Sequence, residues 1–102
     1  MLNTDFEQLF DKVLNVLATT LVKDQLIIED KLIIENSLAI IVGILLFRKE
    51  LYAKFVGFSR NDGSIANAEE LVLAGLLCSE EKVRTDFENS MSVLATNLNS
   101  AE

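Results

Sequence analysis

The chain has 102 residues, half of them apolar, and carries a net charge of −7 with an isoelectric point near 4.5. This length fits a single domain over residues 1–102, and the apolar content is enough for a core and too high for a disordered chain. Lysine and arginine form no basic stripe, so we expect no binding to a nucleic acid backbone. A single cysteine excludes an internal disulfide and no N-glycosylation acceptor occurs, so we expect a cytoplasmic or nuclear location.

The first predicted helix begins at Thr4, because Thr4 and Glu7 have the spacing of a capping box. No proline interrupts it, and the composition favours long helices. Lys23-Asp24 is expected to close the helix. Between these points, apolar residues recur at the 3.6-residue period of one helix face: Phe6, Phe10, Val13, Leu17 and Leu21.

Residues 25–36 are ambiguous, because they contain a six-residue echo, QLIIED followed by KLIIEN. A β-hairpin would need glycine or Asn-Gly at its turn and finds only Glu29-Asp30-Lys31. We therefore predict a short helix or irregular connection through Ile28, and then a long helix from about Asp30 to Phe47. That helix is apolar on nearly all sides, which predicts a place in the middle of the packing. One of its faces holds Ile34, Leu38, Ile41 and Leu45, and another holds Ile33, Ile40, Ile44 and Phe47.

A shorter aromatic helix is predicted after Arg48-Lys49-Glu50, followed by a loop over residues 59–64 that is rich in turn-forming residues. Ser64 or Asn67 can cap the next helix. The apolar residues of the aromatic helix are Leu51, Tyr52, Phe55, Val56 and Phe58, and those expected to face inward on the next one are Leu71, Val72, Gly75 and Leu76.

The last third of the chain predicts a helix, a tight turn and a second helix. Ser79 is expected to cap the final helix, with Glu80 and Glu81 in its first turn, where the helix dipole favours negative charge. We expect Phe87 and Leu94 to anchor this helix against residues 71–76. Its apolar stripe consists of Val83, Phe87, Met91, Leu94 and Leu98.

No group of residues has the pattern of a catalytic or ligand-binding site. The chain has no histidine, so Cys78 lacks the usual base and is interpreted as a small core residue rather than a nucleophile. Acidic neighbours such as Glu80-Glu81 diverge by about 100° on a helix and do not converge on a metal. The loop at Asn61 resembles a fragment of a calcium loop but has Val72 at its twelfth position, where a glutamate is required. We therefore expect no catalytic residue, no cofactor and no metal.

The uncharged run over residues 38–47 raises the question of a membrane. It has ten residues, whereas a transmembrane helix needs about twenty. Charged residues flank it, Glu35 on one side and Arg48-Lys49-Glu50 on the other. We predict a buried helix and no membrane partner, with a membrane-associated helical protein as an alternative.

Two resemblances add to these patterns. Residues 76–84, together with Ser92, Leu94 and Ala95, resemble the HEAT/armadillo repeat, in which an acidic turn leads to Val-Arg near the start of the second helix. This resemblance implies antiparallel helix–turn–helix pairs. Residues 34–38, 46–51, 74–77 and 81–87, in that order, are similar to the helical scaffold of very large ubiquitin-specific proteases. The second resemblance implies a segment of a large ubiquitin-pathway protein, whose catalytic Cys and His lie in another domain.

We therefore predict an all-α, HEAT/armadillo-like module of about five helices, complete or part of a longer solenoid, with a closed helical bundle as the alternative fold. Its expected function is that of a non-catalytic scaffold that binds a protein partner or a second copy. The candidate interaction surface is formed by Leu14 and Val16, on the side of the first helix predicted to lie away from Phe6, Phe10 and Val13.

The rival function is a small-molecule-binding bundle or an enzyme built around the aromatic helix. Tyr52 and Phe55 would line its site. A deep pocket beside these two residues would favour this alternative.

Overall fold

The computed structural model describes the backbone of residues 2–60 and 62–99 and the side chains of residues 6–60 and 62–97. Within these ranges the chain forms five α-helices and no strand, which confirms the predicted all-α class. A 3-10 turn, Lys49–Leu51, leads into the third helix. The helices are α1 (Leu2–Leu21), α2 (Ile28–Phe47), α3 (Tyr52–Val56), α4 (Ala68–Leu76) and α5 (Glu81–Asn99).

Helix α1 buries the predicted stripe. It begins at Leu2, before the predicted start at Thr4, and the side chain of Thr4 lies outside the described residues. The helix ends at Leu21, two residues before the predicted Lys23-Asp24 boundary. Phe10, Val13, Leu17 and Leu21 are buried, and Phe6 packs against the core from a half-buried position.

The start of α2 is held by Asp30. Its Oδ2 accepts a hydrogen bond from the backbone N–H of Ile27 (3.0 Å), and its Oδ1 accepts one from Lys23 Nζ (2.8 Å). Asp30 thereby satisfies an N–H group that the helix itself leaves without a partner. The hydrogen bond from Lys23, and then that from Ile27, lower the pKa of Asp30. Residues 22–27 form the predicted irregular connection, with no hairpin.

Contacts at the helix ends show how α1, α2 and α5 run. The Phe6 and Phe47 rings lie 5.8 Å apart, so the start of α1 meets the end of α2 and these helices run in opposite directions. Lys31 pairs with Glu80 (2.8 Å) near the starts of α2 and α5. One turn further along, Glu35 pairs with Lys82 (3.2 Å). Helices α2 and α5 therefore run in the same direction.

Residues 48–67 connect the two halves of the fold along α1. Lys54 Nζ lies 3.3 Å from the Asp11 carboxylate, and Arg60 Nη1 donates to Thr19 Oγ1 (2.9 Å). The segment contains the predicted aromatic helix and the predicted loop. Of the two predicted caps for α4, Asn67 is the one used: its Oδ1 accepts from the N–H of Glu70 (2.9 Å).

Helix α5 begins later than predicted. The carbonyl of Glu80 accepts from the N–H of Arg84 (3.1 Å), and the helix begins at Glu81. Since the N-cap residue is the one whose carbonyl accepts the first helical bond, Glu80 occupies that position and the predicted cap at Ser79 is wrong.

The predicted contact between Phe87 and α4 is confirmed. A Cβ atom built on Gly75 would lie 2.3 Å from a ring carbon of Phe87, so the ring sits against bare backbone. Phe87 is 1% exposed, and Val83 and Leu94 of the same stripe are also buried. Glycine at this point lets α4 and α5 approach closely. Leu98, the last residue of the stripe, lies outside the described side chains.

One hydrophobic core joins all five helices. Helix α2 packs against α1 and α5, and α4 packs against the same two helices. The predicted central place of α2 is therefore confirmed. Its second predicted face is only partly buried, however, because Ile44 is buried while Ile33, Ile40 and Phe47 are exposed.

Candidate protein-docking surface

Five exposed apolar side chains form one row on α1 and one row on α2. Each helix repeats them every seven residues, which is close to two helical turns and keeps them on one side. Each exposes between 38% and 72% of its surface, and Phe47 exposes the most. They are Leu9 and Val16 on α1, and Ile33, Ile40 and Phe47 on α2. We call this set the α1–α2 face.

Ile33, Ile40 and Phe47 lie on the flank of α2 that is next to α1. On α2 this flank is marked by Phe47, which contacts Phe6 of α1. A shallow groove of about 410 Å³ follows the same line and is lined by Phe6, Ile40, Gly43, Ile44 and Phe47. Helix α5 packs on the opposite flank of α2, where Glu35 and Lys31 make their ion pairs. The α2 half of the α1–α2 face is thus an apolar strip that borders α1.

The α2 side of the strip is uncharged over most of its length, whereas on α1 the exposed Lys12 lies between Leu9 and Val16. From Leu32 to Phe47 the only charged residue is Glu35, which is paired with Lys82 on the α5 side. The hydrogen bonds that Lys82 donates to Glu35 and then to Asp86 raise the pKa of Lys82. An apolar strip without charge has no tendency to hold water strongly, which is typical of the centre of a protein interface.

The two predicted surface residues separate in the structure. Val16 lies on the α1–α2 face and is 46% exposed, whereas Leu14 is completely buried among the core residues. The prediction for Leu14 is therefore wrong. Residues two positions apart on a helix point about 200° apart and cannot share a face. Leu14 lies one turn from Phe10 and Leu17, on the buried side.

Ile33, Ile40 and Phe47 are surface residues that sequence reasoning missed. It assigned the whole circumference of α2 to the interior because the helix is apolar on every side. The available signal was the regular spacing of seven residues, combined with the absence of charge between residues 36 and 47. A helix in the interior has no need of such a spacing, whereas a helix-pairing surface does.

The aromatic helix lines a second concave surface. Tyr52 and Phe55 have ring centroids 6.1 Å apart. A groove of about 500 Å³ lies beside them and is closed on its other sides by Val56, Asn67, Ala68, Glu69, Val72 and Met91. This is the place predicted for the rival small-molecule site, but the groove is open to solvent rather than deep.

Among the described residues, every buried polar side-chain atom has a hydrogen-bond partner. Asp62 accepts hydrogen bonds from Arg60 and from the N–H and hydroxyl of Ser64, and these lower its pKa, the bond from Arg60 having the largest effect. The loop that resembles a calcium-binding fragment begins at Asn61, which lies outside the described residues. Among the side chains of residues 6–60 and 62–97, no group of three or more His, Cys, Asp or Glu is arranged to hold a metal ion.

Cys78 lies half-buried in the turn before α5. Its Sγ accepts from the N–H of Glu80 (3.5 Å), and its carbonyl accepts from Arg84 Nη1 (2.6 Å). These contacts fix the turn between α4 and α5. In this structure Cys78 therefore stabilises the turn between α4 and α5 through its thiol and its carbonyl.

The helices described do not include a candidate membrane span. None of them combines the length and the hydropathy needed to cross a bilayer. Comparison of the chain with protein-family models, with curated proteins and with solved structures finds no match. The resemblances to HEAT/armadillo repeats and to the protease scaffold therefore stay predictions.

Proposed function

We propose that this chain is a non-catalytic scaffold module that binds another protein through the α1–α2 face. The observation that carries the proposal is the set of five exposed apolar side chains on two 20-residue helices, with no charged residue on α2 from Asn36 to Phe47. A monomer gains nothing from leaving a ring such as Phe47 in water, since burying an aromatic side chain is worth about 1.5–3 kcal/mol. Large exposed apolar patches mark interaction surfaces.

The helix directions support a HEAT/armadillo-like arrangement within this proposal. Helices α1 and α2 run in opposite directions, and α2 runs with α5. The end of α4, at Ala74, lies by residues 21–26 at the end of α1, so α1 and α4 also run the same way. A solenoid is built from helix hairpins stacked in this manner, each hairpin being one repeat. The contact between α1 and α4 also supports the alternative, a closed bundle.

Photo-crosslinking in the cells that express the chain tests the docking surface. A photoreactive phenylalanine analogue replaces Ile40 on the face, and in a matched control it replaces Asn89, which is exposed on α5. The proposal expects a defined protein adduct from position 40, identified by mass spectrometry, and none from position 89. Absence of an adduct at position 40, or equal adducts at both positions, would contradict it.

A second candidate function is the binding of a small apolar ligand in the groove beside Tyr52 and Phe55. Its volume of about 500 Å³ is within the range of ligand sites, which is about 300–1,000 Å³. A fragment screen by methyl NMR tests it, because Val56, Val72 and Met91 line the groove and provide reporters. Shifts confined to these methyl groups would support the second function, and their absence would remove it.

A further inference from the structure

We infer that the protein bound at the α1–α2 face is a second copy of this chain, docked across a two-fold axis at Ile40 with the two α2 helices antiparallel. This inference rests on the proposed function and names the partner. In such a dimer the same surface is used by both copies, so the face must be complementary to itself.

The spacing of the face is self-complementary. Ile33 and Phe47 lie seven residues before and after Ile40, at about 10.5 Å along the helix on either side. Antiparallel docking at Ile40 places Ile40 opposite its own copy and Ile33 opposite Phe47 of the second copy. Gly43 and Asn36 are exposed between these side chains. A Cβ atom on Gly43 would meet nothing within 4 Å, so the space above it is open to receive a side chain.

Charge distribution separates this face from the rest of the molecule. Residues 2–47 and residues 68–99 each carry a net charge of −4, but α2 has no charged residue from Asn36 to Phe47, whereas α5 holds Glu81, Asp86 and Glu88. Two copies that meet along residues 36–47 of α2 bring no like charges together. Docking through the α1–α2 face leaves α5 on the opposite flank of α2.

The ends of the face select the antiparallel orientation. Glu29 lies four residues before Ile33, and Lys49 lies two residues after Phe47; both are exposed, and neither makes an ion pair with another described residue. Antiparallel docking brings Glu29 of one copy beside Lys49 of the other, twice by symmetry. Parallel docking would place Glu29 against Glu29 and Lys49 against Lys49. Such complementarity determines orientation more than affinity.

Sedimentation equilibrium of the full chain tests the inference. Ile40→Glu places two negative charges against each other on the axis, so we expect at least about a tenfold rise in the dimer dissociation constant, equivalent to about 1.4 kcal/mol. Val93→Glu is the matched control, because Val93 is also 41% exposed but lies on α5. The control should dimerise like the wild type, and circular dichroism should show the same helix content in both variants.

Exchanging the charges of Glu29 and Lys49 tests the same dimer without changing an apolar side chain. Glu29→Lys or Lys49→Glu alone should weaken the dimer, and the double variant should restore it at low salt. A wild-type monomer at high concentration, dimerisation unaffected by Ile40→Glu, or failure of the double variant to recover would each overturn the inference. If the photo-crosslink at position 40 joins a different protein while the chain is monomeric, the inference fails and the proposed function stands. If position 40 gives no adduct, both fail.

Discussion

The α1–α2 and α4–α5 hairpins bury apolar stripes of the same kind but present different surfaces to solvent. Residues 2–47 and residues 68–99 each carry a net charge of −4, but α1 and α2 expose a row of large apolar side chains, whereas the described part of α4 and α5 exposes only two such side chains, Leu73 and Val93. Both contribute to one core. The comparison teaches that burial periodicity determines the fold, while the size and spacing of the outward apolar residues distinguish a surface suited to docking from one that stays in water.

The largest predicted effect comes from removing part of the core that both hairpins share. Phe87→Ala deletes a ring packed against Gly75 and should cost about 3–5 kcal/mol of unfolding free energy, from lost transfer energy and a cavity. Urea denaturation followed by circular dichroism measures it. Because the core is continuous, the remaining structure should unfold in one transition. A loss below about 1 kcal/mol, or separate transitions for the two halves, would contradict the shared core.

Leu14 and Val16 test the difference between core and surface within one helix. Leu14→Ala should cost about 2–5 kcal/mol, because its side chain is completely buried. Val16→Ala should change the free energy of unfolding of dilute protein by less than about 0.5 kcal/mol, as is usual for surface positions. The same denaturation experiment measures both. Similar losses for the two variants would mean that Val16 is part of the core and that the α1–α2 face is smaller than described.

Alanine substitution at two glycines is expected to change the stability of the chain in opposite directions. Gly75→Ala drives a methyl group into the Phe87 ring and should destabilise the chain by about 1–3 kcal/mol. Gly43→Ala, in the exposed middle of α2, meets no atom within 4 Å and should stabilise dilute protein by about 0.5–1 kcal/mol. Thermal denaturation compares them. A stabilising Gly75→Ala would show that the ring moves aside easily.

The smallest predicted effect concerns pH and the connection between α1 and α2. Asp30 has a pKa below its ordinary value of 3.8, because it accepts hydrogen bonds from Lys23 and Ile27. Its contribution to stability is therefore complete above about pH 4 and is lost as the pH falls through the lowered pKa. Asp30→Ala should lower the urea midpoint at pH 7, and this difference from the wild type should shrink below pH 4. Asp24→Ala, at an exposed neighbour, should show no such dependence.

Much of the fold was predictable because the helices carry period-3.6 stripes and the connections carry turn residues. The end of α1, the irregular connection before α2 and the cap at Asn67 follow from local chemistry. The start of α5 did not, since Ser79 and Glu80 are both acceptable before a helix and the hydrogen bonds of Cys78 with Glu80 and Arg84 favour the later start. Local preference cannot anticipate contacts that form only after the chain turns back.

The candidate surface was harder to predict than the fold. Val16 was identified and Leu14 misassigned, because the exact angular position of a residue matters at the edge of an apolar stripe. For α2, composition alone could not distinguish a helix covered on all sides from one covered on two. That distinction depends on how many neighbours pack around the helix, which is a property of the tertiary arrangement.

The two ion pairs between α2 and α5 resist sliding of one helix along the other. Exposed ion pairs add little stability, so Lys31–Glu80 and Glu35–Lys82 matter mainly through what a displacement would do to them. A slip of one turn, about 5.4 Å, in one direction sets Glu80 opposite Glu35. A slip in the other direction sets Arg84 opposite Lys31 and Asp86 opposite Glu35. Like charges therefore oppose a one-turn slip in either direction. The two ion pairs hold α2 and α5 in a single axial alignment, although apolar contacts alone would allow the helices to slide.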